Sequence, residues 1–228
     1  MYTTPTSPQV QDSIPVAYSN GRAGGWQVET GEAVAFTSMA GSGKAEAQFL
    51  IGDFDGDGKA DVAAFTPGQA GLSFPVAFSN GRGQWTVTQA GHTAAADKTV
   101  AMVGDFDGDG KDDVLLVGPD SKGFVTVMYS AGRQGWSVKQ EKVGNWANQA
   151  LEEGVRRLVG DYDGDGRADV CLVGGAGWND AYYLFGKDSQ AGVDAVTQNG
   201  GQFAGQVRRR GSERGGEREI VRQRERWG

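Results

Sequence analysis

Cysteine and histidine each occur once in this 228-residue chain, and proline only six times. One cysteine excludes an intramolecular disulfide. Cys171 lies in the apolar run Val170-Cys171-Leu172-Val173, where a thiol reads as a small buried hydrophobe. With one histidine and a buried cysteine, nucleophilic triads built on histidine lack their parts. No apolar run approaches the roughly 18 residues of a membrane-spanning helix. The start, Met1-Tyr2-Thr3-Thr4-Pro5, lacks the basic and apolar regions of a signal peptide. Helix-period segments of useful length are also missing from the body of the chain.

Glycine, in contrast, is abundant at 38 residues, without a collagen period. Short apolar runs between glycine-rich turns point to many short strands. The net charge of −7 divides unevenly. Residues 208–228 hold 8 of the 14 arginines and carry +4, so residues 1–207 carry −11. Twelve regularly spaced aspartates supply nearly all of that acidity. An acidic surface disfavours nucleic acid, whereas concentrated carboxylates favour a divalent cation.

Self-comparison gives the architecture. Gly52-Asp53-Phe54-Asp55-Gly56-Asp57-Gly58-Lys59-Ala60-Asp61-Val62 recurs, with small changes, at Gly104–Val114 and Gly160–Val170. Between these copies runs a second element. Pro15-Val16-Ala17-Tyr18-Ser19-Asn20-Gly21-Arg22 matches residues Pro75–Arg82, and residues Thr126–Arg133 form a third copy. Trp26, Trp85 and Trp136 follow them, and Tyr182–Lys187 reads as a degraded fourth copy. One unit therefore predicts four strands: Phe49–Ile51 into the aspartate loop, Val62–Phe65 out of it, Phe74–Phe78, and Trp85–Thr88 after a turn at Asn80-Gly81. Four strands in about 50 residues is the spacing of a β-propeller blade.

The expected fold is thus all-β, a propeller-like array in residues 1–206, open or truncated. It has full units at 47–90, 99–142 and 155–198 and a leading half unit at 14–30. Where the next apolar strand and loop are due, residues 207–228 are arginine-rich instead. Two readings of that stretch stay open: a basic, disordered interaction tail, or a sequence that has lost its reading frame or a splice product that truncates the array.

The loop chemistry is that of a hard cation. Ca²⁺ takes 6–8 oxygen ligands, and acids at positions 1, 3, 5 and 9 can wrap one ion with a main-chain carbonyl at position 7. The first loop offers Asp53, Asp55, Asp57, Asp61 and the Lys59 carbonyl. Asp105, Asp107, Asp109, Asp113 and the Lys111 carbonyl form the second set, and Asp161, Asp163, Asp165, Asp169 and the Arg167 carbonyl the third. Three Ca²⁺ sites are expected; Mg²⁺, which prefers fewer carboxylates and keeps its waters, suits them less. An EF-hand would need a bidentate acid at position 12, where this chain has Ala64, Leu116 and Leu172. Three near-identical acidic loops also argue against paired carboxylates of a glycosidase, because an active site is normally built once. Gly174-Gly175-Ala176-Gly177 lacks the lysine and helix of a phosphate loop.

The aspartate loop followed by an apolar run resembles the VCBS and FG-GAP repeats, found in integrin-type propellers and in microbial propeller lectins and toxins. The Phe78-Ser79-Asn80-Gly81 piece is nearer the VCBS variety. The resemblance covers about residues 14–198 and implies a calcium-stabilised propeller; it names no ligand. The expected role is non-catalytic: lectin-like recognition of a glycan or a protein surface, with adhesion as one use. The alternative is a scaffold region of a larger enzyme or toxin. Weak loops of this kind suit millimolar calcium, so an extracellular or cell-surface location is expected. The Asn-Gly-Arg hairpins with Trp26 and Trp85, and the related one with Trp136, are candidate glycan pockets. Each tryptophan packing between blades is the competing and favoured reading.

Overall fold

The computed structural model describes residues 13–21, 24–33, 48–67, 73–92, 96, 98–188 and 192–199. The expected arginine-rich tail and the first twelve residues lie outside them. Among the described residues fourteen strands run in chain order: β1 (Ser13–Ser19), β2 (Trp26–Glu32), β3 (Gln48–Gly52), β4 (Asp61–Phe65), β5 (Ser73–Gly81), β6 (Gln84–His92), β7 (Val100–Gly104), β8 (Asp113–Val117), β9 (Phe124–Ser130), β10 (Trp136–Lys142), β11 (Arg156–Gly160), β12 (Asp169–Val173), β13 (Asp180–Gly186) and β14 (Val193–Asn199). Every pairing is between sequence neighbours and antiparallel. The result is three four-stranded meanders, β3–β6, β7–β10 and β11–β14, and the two-stranded sheet β1–β2.

These are the three units and the half unit read from the repeat. Among the described residues the sheets form an all-β array that does not close into a ring. β3 lies against β7, β7 against β11, and β2 against β6, so sheets stack in chain order.

The sheet of unit 2 is covered on both faces, which is why its second strand is a continuous apolar run rather than an alternating one. In β8, Leu115 and Val117 enter the core shared with unit 3, beside Phe106, Val127, Tyr129, Leu172 and Leu184. Val114 and Leu116 point the other way, into the core shared with unit 1 around Leu50, Phe54, Phe65, Phe74 and Phe78. Trp136 seals that joint. Its ring meets Phe54 and Phe74 edge-on at 5.5 and 5.4 Å between centroids, geometry that suits aromatic quadrupoles. For Trp136, then, the packing reading holds and the pocket reading does not. Cys171 is buried in a small cluster with Ala181 and Tyr183.

Two local features differ from the sequence expectation. The β5–β6 turn sits at Arg82-Gly83 rather than Asn80-Gly81, because Gly81 pairs with Gln84. Arg82 and Gly83 both carry positive φ, 41° and 74°, as a two-residue primed turn requires. The register shifts at Ser79/Gly81, where the Gly81 N–H donates to the Ser79 hydroxyl at 3.3 Å and the chain bulges before turning. The second feature is one helical turn, α1 (Trp146–Gln149), between units 2 and 3. Four residues are too few to show a helical period; α1 forms because Trp146, Ala147 and Ala150 cap the unit 2–unit 3 core.

The half unit docks by close backbone approach. A Cβ at Gly31 would fall 1.4 Å from the Gly83 carbonyl oxygen, so only glycine fits there. The Tyr18 hydroxyl then accepts the Gly83 N–H at 2.8 Å.

Candidate metal centres

Each aspartate loop joins the first strand of its unit to the second, and it coils because glycines at positions 4 and 6 are left-handed. Gly56 and Gly58 have φ of 74° and 82°, Gly108 and Gly110 79° and 87°, and Gly164 and Gly166 80° and 87°. A side chain at these positions would be strained.

The position-1 aspartate organises the coil. Asp53 Oδ1 accepts the Asp57 N–H at 3.0 Å and Oδ2 the Gly58 N–H at 2.7 Å. Asp105 takes the N–H groups of Gly108, Asp109 and Gly110 at 2.7, 3.1 and 2.9 Å. Asp161 does the same with Gly164, Asp165 and Gly166 at 2.6, 3.2 and 3.0 Å.

The position-9 aspartate is a cross-link inside the blade. Asp61 Oδ2 accepts the Phe54 N–H at 2.9 Å and Oδ1 the Ser79 N–H at 2.8 Å. Asp113 binds the Phe106 and Ser130 N–H groups at 3.0 and 2.7 Å, and Asp169 those of Tyr162 and Gly186 at 2.8 and 2.9 Å. All three carboxylates have no exposed surface. Burial pushes their pKa values up, to about 6 at Asp61 and about 8 at Asp113; the N–H donors oppose the shift and neighbouring loop aspartates add to it. A divalent cation would reverse this by supplying the missing positive charge.

Carboxylate oxygens converge in every loop. One oxygen from each of Asp53, Asp55 and Asp57 lies within 4.8 Å of the others; the same holds for Asp105, Asp107 and Asp113, and for Asp161, Asp163 and Asp169. Asp61, Asp109 and Asp165 stand outside these triads. The last two, like Asp57, carry the position-7 side chain. Lys59 Nζ meets Asp57 at 2.6 Å, Lys111 Nζ meets Asp109 at 2.5 Å, and the Arg167 guanidinium pairs with Asp165. Hydrogen bonding from Lys59 lowers the pKa of Asp57. The donor set is all oxygen, as a hard cation demands. In unit 1, Asp55 Oδ1 is buried without a hydrogen-bond partner, an orphaned acceptor that a cation would satisfy.

Adjacent loops are tied together by residues that spacing alone did not flag. Asp112, at position 8, clamps the first residue of the preceding loop twice. Its N–H donates to the Asp53 carbonyl and its Oδ2 accepts the Asp53 N–H, both at 2.8 Å. Unit 3 keeps only the backbone half of this clamp, Ala168 N–H to Asp105 O at 2.7 Å. The signal was visible as a departure, since position 8 is alanine in the other two copies. Ser130 Oγ donates to the Phe54 carbonyl at 2.6 Å. Arg133 Nε donates to Asp55 Oδ2 at 2.6 Å, its Nη1 to Asn80 Oδ1 at 3.1 Å, and its guanidinium lies over the Phe78 ring. The hairpin of unit 2 thus covers the loop of unit 1. Asp112→Ala should lower stability by about 1–2 kcal/mol, the cost of orphaning the Asp53 N–H. Denaturant melts of the variant check it, and no change would mean that water replaces the clamp.

The model of the FG-GAP-like repeat matches residues 53–116 and again 105–172, together just over half of the chain. The chain belongs to the FG-GAP-like repeat family. No curated protein matches it. Among solved structures, this FG-GAP-like chain is similar to an Agrocybe aegerita lectin whose structure is described as the basis of specific recognition of non-reducing terminal N-acetylglucosamine. The two share 16% identity at a TM-score of 0.57, over 82% of this chain and 52% of that one. The likeness shows the propeller fold, and the chain spans about half of that lectin's length.

Proposed function

We propose that this FG-GAP-like array is a non-catalytic calcium-binding module that recognises carbohydrate. The convergence of three aspartates in each of three loops carries the calcium reading. All-oxygen sites of this kind, with more carboxylates than paired cations in each loop, suit Ca²⁺ at the millimolar levels met outside cells. Repetition of one loop on successive blades supports a structural role for the ion rather than a catalytic one.

The carbohydrate reading rests on the fold shared with a lectin and on a cleft in unit 2. About 320 Å³ in volume, it is lined by Thr99, Asp120, Ser121, Phe124, Thr126 and Gln140. Phe124 is 39% exposed there, an apolar plate beside polar side chains. Such a pairing fits a sugar ring, whose faces are apolar and whose edge carries hydroxyls. Trp136, committed to the unit 1–unit 2 joint, does not offer that plate.

The test is retention on a glycan array. With calcium at about 1–5 mM, the range in which extracellular modules load, the protein should bind immobilised glycans. EDTA should abolish binding, and Phe124→Ala should weaken it about tenfold while leaving the melting temperature in calcium within a few degrees. A blank array in calcium would overturn the carbohydrate reading; the scaffold reading, which the half-length match to the lectin also fits, would then take its place.

A further inference from the structure

Beyond that reading, we infer that the chain associates with a second copy of itself, head to tail. The open face of the half unit would dock on the outer face of unit 3 of the other copy. Both halves of this joint are present on the one chain, and its internal joints show how they fit.

The first half is the uncovered side of β1–β2. The register pairs Ala17 with Val28 and Ser19 with Trp26, so these four side chains share one face. All four are exposed, Trp26 at 71% and Val28 at 65%. In unit 1 the matching residues are Ala77, Val87, Ser79 and Trp85. They face the half unit, with Ala77 fully buried and Ser79 at 7%. In unit 2 they are Met128, Val138, Ser130 and Trp136, of which Met128, Ser130 and Trp136 are held against unit 1. Among the described residues, a surface that is buried at each internal joint is left open on the half unit.

The second half is the far side of unit 3. Leu158, Tyr162, Cys171, Tyr183 and Phe185 stand where Leu50, Phe54, Ala63, Val76 and Phe78 stand in unit 1. That unit 1 surface is the one on which Trp136 seats. Tyr162 is the position-2 aromatic, the counterpart of Phe54. Tyr162 is 42% exposed and Leu158 is 45% exposed, whereas Phe54 and Leu50 are buried. Tyr162 packs edge-on against Tyr183, which stacks on Phe185, so the aromatic floor is already formed. Trp26 of a second copy would meet Tyr162 as Trp136 meets Phe54.

The contact is heterologous, so it pairs unlike surfaces and can close on itself or extend. Two copies joined at both ends would place their eight described sheets in one ring, six full and two half, within the range of about 4–8 blades that propellers use.

Sedimentation equilibrium of the full chain in calcium is the test. The expected result is a concentration-dependent mass above the 24.0 kDa of one chain. Trp26→Glu on the front and Leu158→Glu on the back should each weaken association roughly thirtyfold, as loss of a central interface anchor does. Both positions are exposed, so circular dichroism should show each variant folded. Mixing the two variants should restore association in part, because one undamaged front then meets one undamaged back. A 24.0-kDa mass at every concentration would overturn the proposal. So would a front variant that dissociates the pair while the back variant leaves it intact, since that pattern marks a front-to-front contact.

Discussion

Asp113→Ala should cost about 2–4 kcal/mol in EDTA and more in calcium. The side chain has no exposed surface and spends both oxygens on main-chain N–H groups, those of Phe106 and Ser130. Removing it orphans two buried donors at about 1–3 kcal/mol each. The burial that pushes Asp113 up to about 8 offsets part of this loss, because the charged carboxylate is itself costly in that position. In calcium the loss grows, since Asp113 belongs to the converging triad of its loop. Asp109→Ala is the control: its carboxylate is partly exposed and pairs with Lys111, so the change should cost under about 1 kcal/mol in EDTA. Denaturant unfolding of both variants decides the matter. Equal losses would show that Asp113 does not hold β8 to β9.

Calcium should raise the melting temperature of the chain by on the order of 10 °C between EDTA and about 5 mM Ca²⁺. A site with a dissociation constant of about 10⁻⁴–10⁻³ M gains about 1–2 kcal/mol at that concentration, and three sites about 3–7 kcal/mol. For a domain of this size, each kcal/mol is worth about 2–4 °C. Magnesium at the same concentration should give less than half the shift. The loops repay the ion because it removes repulsion among carboxylates held within 4.8 Å and fills the orphaned Asp55 Oδ1. A melt unchanged by calcium would remove the metal from the proposed function. The front-to-back association would still be tested separately by the mass of the full chain.

The two expectations draw on different kinds of information. Strands, units and loops were legible because each depends on residues close in sequence. Gly56 and Gly58 coil the first loop through their own φ angles, and Asp53 bonds N–H groups four and five residues away. The half unit at the front was legible for the same reason: its Pro15–Arg22 segment repeats Pro75–Arg82. Where a local choice hinged on geometry a few residues wide, the reading slipped. The Asn80-Gly81 pair carries a strong turn signal, but the Ser79 hydroxyl and the bulge beside it move the turn to Arg82-Gly83.

The sequence by itself determined the antiparallel units, their number, and the acid-rich loops, since turn chemistry and the spacing of acids are properties of short stretches. Only the tertiary structure decided what joins one unit to the next. Arg133 reaches Asp55 across 78 residues, Ser130 reaches the Phe54 carbonyl across 76, and Asp112 clamps Asp53 across 59. The stacking of sheets also decided which tryptophan is committed and which is free, Trp136 in the joint and Trp26 on the open face. Nothing local encodes such contacts, because they arise from rigid sheets laid face to face, whose relative placement is set by the summed fit of their cores.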